Sequence, residues 1–272
     1  MITGMAFLIV SDAVSKYLAQ THPVGQVMCL RQAACLLFVV PFALRGAGLV
    51  ALSPHNIPMQ FLRGLVFLAS SYLIILSLSL LPLPTVTAIT FVGPIMIAVM
   101  SVPLLRERVG GSLWSATLLG FVGVLFIIRP GTDDFSWALL VPVAAAFASS
   151  MRDMLSRLLA RTDSSISILF WSSLVMVTGA AFSAAFGWVQ VSATQALLYL
   201  LGGFVNFCAQ FLLIEAYRLS RAAVVAPFKY SSLLWATVLG FVIWGDLPGG
   251  WVWAGAAILV VSGLWIARTE RA

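Results

Sequence analysis

The chain has 272 residues, of which 61% are hydrophobic and only 9% are charged. Soluble domains carry roughly a quarter charged residues, so this composition excludes a soluble globule and favours a membrane protein. The formal net charge is +6, but the basic residues are scattered singly at the ends of apolar runs, which argues against a nucleic-acid surface.

Apolar runs of membrane-spanning length recur along the whole chain, and a bilayer core takes roughly 20 apolar residues per helix. The first half predicts helices at residues 2–18, 24–44, 57–80, 85–105 and 113–128, with the tightest loop at Pro82 and Pro84. The second half predicts helices at residues 135–159, 166–188, 196–217, 222–244 and 251–267. The first run starts almost at Met1 without a basic segment before it, so it is interpreted as a retained helix.

The two halves resemble each other in sequence. Residues 12–21 read DAVSKYLAQT and residues 153–162 read DMLSRLLART, and ERVGG at 107–111 is matched by DLPGG at 246–250. Because five is an odd number, two such copies in tandem would lie upside down relative to one another, which is typical of transporters. The sequence therefore predicts an all-α integral membrane protein of ten transmembrane helices, built from two inverted repeats at residues 1–131 and 132–272.

The placement of Lys and Arg predicts the orientation, because cytoplasmic loops carry an excess of both. With a cytoplasmic N-terminus the outer side holds only Lys16 and Arg129. The inner side then holds Arg45, Arg63, Arg106, Arg108, Arg152, Arg157, Arg161, Arg218, Arg221, Arg268 and Arg271. We therefore expect a multi-pass protein of the cell (inner) membrane with both termini in the cytoplasm.

Several charged residues fall inside the predicted spans, where each costs about 3 kcal/mol and needs a partner. Asp12 and Lys16 stand four apart on helix one, and Arg31 lies about 10 Å deep in helix two at 1.5 Å per residue, so the three can meet. A second cluster is predicted from Arg152, Asp153, Glu215 and Lys229. Two interpretations stay open, namely that these charges lock helix packing or that they act as gates and substrate anchors.

Polar and aromatic residues predict a pathway lining. Asn206 and Gln210 share one face of helix eight, and Thr87, Thr90 and Phe91 share one face of helix four. The displacement that aligns ERVGG with DLPGG sets Lys229 opposite Thr90 and Tyr230 opposite Phe91. Lys229, Asn206 and Gln210 are expected to give polar substrate contacts, while Tyr72, Phe91 and Tyr230 give apolar surface; ordinary packing is the alternative for each.

Motifs for catalysis or metal binding are missing from the sequence. The two histidines, His22 and His55, lie far apart in predicted loops, and there is no HExxH, P-loop or GxSxG motif. Cys29, Cys35 and Cys208 lie inside apolar runs, which favours buried thiols. We therefore expect neither an enzyme nor a bound metal or cofactor.

Longer stretches resemble a known family. TAITFVGPI, LLRERVGG and LLGFVGVLFIIRPG look like the first EamA repeat of the drug/metabolite transporter superfamily, and AAVVAPFKYSSLLWATVLGFVIWGDLPGG looks like the second. SDAVSKYLAQTHPVGQVMCLRQ is also similar to that family, including its Arg31. The resemblance implies a central cavity formed mainly by helices one, three, four, six, eight and nine, and export of amino acids, other metabolites or drugs. Within the family the chain is similar to aromatic amino acid exporters of the YddG type.

Two positions depart from the family pattern or from the repeat. Asp246 stands where family members usually have Glu, and Ser172 stands where the first half has Arg31, so the halves are not expected to be interchangeable in charge. The leading hypothesis is a secondary transporter that exports aromatic or large neutral amino acids by alternating access. A drug or cationic toxin exporter is one alternative, and a membrane enzyme or receptor is another. A small-molecule substrate and membrane lipid are the expected partners, and the sequence does not indicate an oligomeric state.

Overall fold

The computed structural model describes residues 1–45, 48–93, 95–97, 99–100, 111–128, 136–219, 228–229 and 231–269, with the backbone alone at 111–114, 116–117, 266–267 and 269. These residues are helical apart from short connections and contain no strand. Residues 107–110 of the ERVGG segment, residue 94 and most of the segment between helices eight and nine lie outside the described residues, and so do predictions that fall on them.

The helices follow the predicted runs closely. In the first half they are α1 (Ile2–Ala19), α2 (Val24–Arg45), α3 (Ile57–Leu80), α4 (Leu83–Thr90) and α5 (Gly111–Ile128). In the second half they are α6 (Leu140–Leu159), α7 (Ser165–Ala181), α8 (Ala193–Leu219), α9 (Ser231–Trp244) and α10 (Gly250–Thr269). Short 3-10 segments lie at Gly48–Leu52, Trp137–Leu139 and Phe182–Phe186.

The predicted fourth helix is interrupted by a turn. α4 ends at Thr90, and a turn at Phe91 and Val92 precedes further helical residues at 93, 95–97 and 99–100. The predicted tight loop at Pro82 is present, since only Leu81 and Pro82 separate α3 from α4. Asn56 caps α3 by accepting a hydrogen bond from the backbone N–H of Met59 at 3.1 Å, which satisfies an otherwise unpaired donor of the first turn.

Helix length and composition agree with a multi-pass membrane protein. Within the described residues, six helical segments are long and apolar enough to cross a bilayer: Ile2–Ala19, Val24–Arg45, Ile57–Leu80, Trp137–Leu159, Ser165–Phe186 and Ala193–Leu219. Shorter apolar helices occupy the remaining predicted spans. Many large apolar side chains are exposed on the outer surface of these helices, as a lipid-facing surface requires.

The helices pack in a pattern that treats the two halves alike. α1 packs on α8 and α3 on α6; α2 packs on α8 and α3 on α7; α1 packs on α9 and α4 on α6. Other pairs are α1 with α3 and its counterpart α6 with α8, together with α2 with α7, α4 with α9 and α5 with α10. Exchanging α1–α5 with α6–α10 leaves this set of contacts unchanged.

Two glycines lie at close approaches between the halves. A Cβ on Gly203 of α8 would lie 2.5 Å from the Cβ of Ala34 on α2, and a Cβ on Gly64 of α3 would lie 2.6 Å from the Cβ of Val175 on α7. Small residues let membrane helices approach at backbone contact distance, where dispersion forces act over the whole interface. The α2–α8 and α3–α7 contacts therefore depend on glycine at these positions.

Candidate substrate cavity

A cavity of about 1040 Å³ of empty volume, its open mouth included, lies between the helices near the middle of the molecule. Its walls come from α1, α3, α4, α6, α8 and α9, the six helices that the family resemblance implied, with Arg31 of α2 in addition. Charged, amide, hydroxyl and aromatic side chains line it together, which is the mixture found in sites that hold small organic molecules.

Asp153 is the most heavily bonded charged group in the cavity wall. Its Oδ1 accepts hydrogen bonds from Arg152 Nε at 3.1 Å and from Arg152 Nη2 at 2.8 Å. Its Oδ2 accepts from Lys229 Nζ and, at 3.4 Å, from the Tyr217 hydroxyl. Lys229 lies on the segment just before α9, so this cluster ties α6, α8 and the start of α9 together.

Asp12 is bonded much more loosely. Its nearest basic partner is Arg31, whose Nη1 lies 3.9 Å from Oδ1. Arg31 Nη1 instead donates to the hydroxyls of Ser11 at 3.2 Å and Ser15 at 2.8 Å. The Asp12 carboxylate lines the cavity, and the described residues leave part of its hydrogen-bonding capacity unused.

The structure brings Asp12 and Arg31 together but separates Lys16 from them. Lys16 Nζ donates to the Leu81 carbonyl at 2.8 Å and lies 3.7 Å from Asp246 Oδ2, beyond the cavity wall. The prediction of a three-residue cluster is wrong in this respect. Lys16 lies one turn nearer the helix end than Asp12, where its long side chain reaches the loops before α4 and α10.

Glu215 is likewise outside the second cluster that was predicted. Its carboxylate pairs with Arg218 of its own helix at 3.4 Å on the exposed side of α8, while Asp153 takes Arg152 and Lys229. A position near the end of a helix allows a charge to turn towards water, which costs less than burial.

Most of the other predicted lining residues face the cavity. Thr87, Thr90, Phe91, Asn206 and Gln210 all contribute to its wall. Thr87 and Thr90 donate their hydroxyl protons to carbonyls of their own helix, at 2.9 Å and 2.7 Å, so only their oxygen lone pairs stay available. The Asn206 amide donates to Gln32 Oε1 at 3.0 Å, whereas the Gln210 amide makes no hydrogen bond to any described residue. Their part in substrate binding stays a prediction.

Tyr72 does not face the cavity. It lies on the outer side of α3 with 46% of its surface exposed, so its predicted place in the apolar lining is wrong. Phe67, five residues earlier and therefore on the opposite side of the helix, is the aromatic residue of α3 that lines the cavity. Tyr230 lies outside the described residues.

Arg63 is the functional candidate that the sequence reasoning missed. It was assigned to an inner loop, but it lies on the buried side of α3 with 1% of its surface exposed. Its Nε donates to Ser156 at 2.8 Å, and its Nη1 donates to Ser172 and to the Ile168 carbonyl. Arg63 is the seventh residue of α3, and Arg31 is the eighth residue of α2, so a similar depth from the helix start was the available signal.

Metal ligands are not grouped in the part of the chain that the structure describes, where no three His, Cys, Asp or Glu side chains come together. The three cysteines are unpaired thiols, two of them buried. The arrangement around the cavity is suited to holding a solute through charges, amides and aromatic surface.

A model of the EamA-like transporter family matches the chain twice, at residues 1–129 and 136–268. The chain belongs to the EamA-like transporter family. This membership confirms the resemblance to the drug/metabolite transporter superfamily, and it makes the chain a membrane transporter and not an enzyme.

Named relatives span the whole chain and carry different solutes. The chain is 31% identical to a riboflavin transporter of Rhizobium johnstonii, covering 99% of this chain and 89% of the relative. It is 27% identical to an S-adenosylmethionine uptake transporter of Rickettsia prowazekii, covering 96% and 89%. It is 26% identical to the pseudopaline exporter CntI of Pseudomonas aeruginosa, covering 96% and 92%. Both uptake and export therefore occur among its relatives.

A crystal structure of a protein has the same fold. It superposes on this chain with a TM-score of 0.70 over 100% of this chain and 98% of its own, at 18% sequence identity. The shared fold spans both halves of the molecule.

Proposed function

We propose that this EamA-like transporter moves small amphipathic metabolites that carry a carboxylate, with aromatic and large neutral amino acids as the first substrates to test and export as the first direction to measure. The observation that supports this most directly is the charge balance of the described cavity wall. Arg31, Arg152 and Lys229 face Asp12 and Asp153, which leaves one positive charge in excess.

An α-amino acid matches this wall at both ends. Among the described residues Arg152 and Lys229 share a single carboxylate, that of Asp153, so a substrate carboxylate can bind beside it as their second acceptor. The loosely bonded Asp12 can accept the substrate ammonium. Phe67 and Phe91 provide apolar surface for an aromatic side chain, and Gln210 offers an unused amide.

A second candidate substrate class comes from the relatives. The S-adenosylmethionine transporters of Rickettsia carry a solute by uptake, and an organic cation would use Asp12 more than Lys229. The riboflavin transporters suggest a neutral heterocycle. Cationic drugs and toxins are examined in the same test, because their positive charge would also bind to the Asp12 carboxylate.

Transport is proposed to proceed by alternating access between two inverted repeats, residues 1–131 and 132–272, with ten spans in the cell (inner) membrane and both termini in the cytoplasm. The two separate family matches and the helix contacts that stay unchanged on exchanging the halves support the duplication. Cysteines introduced at Met1 and Ala272, labelled from each side of oriented vesicles, test the orientation. Labelling of the two ends from opposite sides would refute it.

A flux panel in liposomes tests the substrate class. Phenylalanine, tryptophan, riboflavin, S-adenosylmethionine and a quaternary organic cation are each loaded on one side, with and without a pH gradient. We expect saturable flux of the aromatic amino acids that is lost in Lys229→Met. Flux of the organic cation alone, lost in Asp12→Asn but not in Lys229→Met, would refute the amino acid proposal and support the cationic class.

A further inference from the structure

Ser15 and Ser156 are equivalent residues of the two repeated motifs, and their surroundings match. The register that aligns Asp12 with Asp153 also aligns these serines. Ser15 donates to the Ser11 carbonyl at 2.7 Å, and Ser156 donates to the Arg152 carbonyl at 2.7 Å, four residues earlier in each case. Each serine oxygen also accepts a hydrogen bond from a guanidinium at 2.8 Å.

The two guanidiniums nevertheless come from positions that are not equivalent. Arg31 reaches Ser15 from α2, whereas Arg63 reaches Ser156 from α3. The residue equivalent to Arg31 is Ser172 of α7, and it is bonded directly to Arg63. The register that aligns Glu107 with Asp246 makes Gly202 of α8 the equivalent of Arg63, and a Cβ on Gly202 would lie 3.8 Å from Arg31 Cγ.

Two further contacts support this register. The close approach of Gly64 to Val175 has its equivalent in the approach of Gly203 to Ala34. The Gln60 amide donates to Asp163 Oδ2 at 2.8 Å, and the equivalent pair is Tyr199 with His22, whose ring centroids lie 5.8 Å apart. Equivalent residues therefore meet at equivalent places along both interfaces.

We propose that Arg63 is the counterpart of Arg31, and that this pair of guanidiniums balances the free energies of the two access states. Arg31 comes from α2, which packs against α8, whereas Arg63 comes from α3, which packs against α7. The inference rests on the alternating access proposed above. Arg31 fixes α1, the helix of Asp12, against α2, and its side chain lies next to Gly202 of α8. Arg63 fixes α6, the helix of Asp153, against α3 and α7. The repeated serine of each half is therefore bonded to one guanidinium. The serine of the second half keeps such a partner although Ser172 stands where the first half has Arg31.

Relocating one guanidinium tests the pairing. Arg63→Gly combined with Ser172→Arg turns the second site into a copy of the first. We expect Arg63→Gly alone to lower the melting temperature of the purified protein, and the double variant to regain at least half of the loss. The matched control is Arg63→Gly combined with Ser173→Arg, which restores the charge one residue away, where the side chain faces Gln32.

Labelling of the cavity from each side distinguishes an effect on the access states from an effect on stability alone. A cysteine at Ser71, in the cavity wall, is labelled with an impermeant maleimide from each side of vesicles and compared with the parent protein. We expect Arg63→Lys and Arg31→Lys, which keep the charge but lose the guanidinium geometry, to shift the ratio of labelling in opposite directions, by roughly tenfold for one charged hydrogen bond.

Both measurements are independent of the substrate, so a parent protein without flux in the liposome panel would refute the proposed function and leave this test intact. The inference would be overturned if the Ser173→Arg control recovered stability equally, or if Ser172→Arg gave no recovery or no folded protein. It would also be overturned if the labelling shifts were absent or had the same sign.

Discussion

The substitution Asp153→Asn should destabilise the protein strongly, because it removes the charge that holds two cations in the cavity wall. Asp153 accepts two hydrogen bonds from Arg152 and one from Lys229. Asparagine keeps one acceptor oxygen and presents an N–H₂ group to donors on the other side. Breaking a buried pair by removing one partner costs about 3–5 kcal/mol, and we take about 3 kcal/mol because Asp153 retains some exposure to the cavity.

The matched control is Asp12→Asn, at the position that aligns with Asp153 in the first half of the sequence. Arg31 lies 3.9 Å away and keeps its hydrogen bonds to Ser11 and Ser15 in that variant. We expect a loss of about 1 kcal/mol, since only a loose charge interaction is removed. The two substitutions change the same atoms on equivalent helices, so their difference isolates the bonding of Asp153.

Thermal unfolding followed by intrinsic tryptophan fluorescence in detergent measures both variants, since the chain has nine tryptophans. At roughly 2–4 °C per kcal/mol, Asp153→Asn should lower Tm by about 6–12 °C and Asp12→Asn by about 2–4 °C. Adding Lys229→Met to Asp153→Asn should raise Tm again, because it removes a cation that has lost its counter-ion. Equal shifts in the two single variants, or a further loss in the double variant, would refute this account of the cluster.

Three further substitutions test other parts of the structure. Lys16→Met should increase labelling of a cysteine introduced beside Asp246 by about fivefold, because the Lys16 contacts tie α1 to the loop before α10; unchanged labelling would contradict this tie. Gly203→Ala should lower the free energy of unfolding by about 1–3 kcal/mol, because the new Cβ meets the Ala34 backbone at 2.8 Å, and urea unfolding measures it; a loss within error would mean that α2 and α8 can separate freely. Tyr72→Ala should leave the KM for any transported solute within about twofold, because its side chain lies outside the cavity wall; a large rise in KM would restore Tyr72 to the pathway.

The helices could be predicted from the sequence because the bilayer imposes one requirement on every span. A run of about 20 apolar residues between polar breaks is hard to mistake, and most helix ends fall within a few residues of their predicted positions. The turn at Phe91 was missed because nothing in the run's hydropathy marks it. Continuity of an apolar run does not guarantee continuity of the helix.

Which side of a helix faces the cavity was harder to predict. Lipid is as apolar as the protein interior, so an aromatic residue such as Tyr72 fits either environment and its position carries no signal. Asp12, Asp153 and Lys229 face the cavity, which is expected of a charge because it is expensive in lipid. Lys16 and Glu215 were misplaced because long side chains near helix ends have several partners within reach.

The direction of transport is not fixed by the geometry of the cavity itself. If the two halves exchange conformations as proposed, and if Arg31 and Arg63 hold the Asp12 and Asp153 helices with matched strength, neither access state is strongly favoured by the fold. The solute gradient, or a coupled ion, then decides the net direction. This accounts for the presence of both uptake transporters and an exporter among relatives that align over nearly the whole chain. It also implies that purified protein in liposomes should carry its substrate in either direction when the gradient is reversed, whatever the direction in the cell.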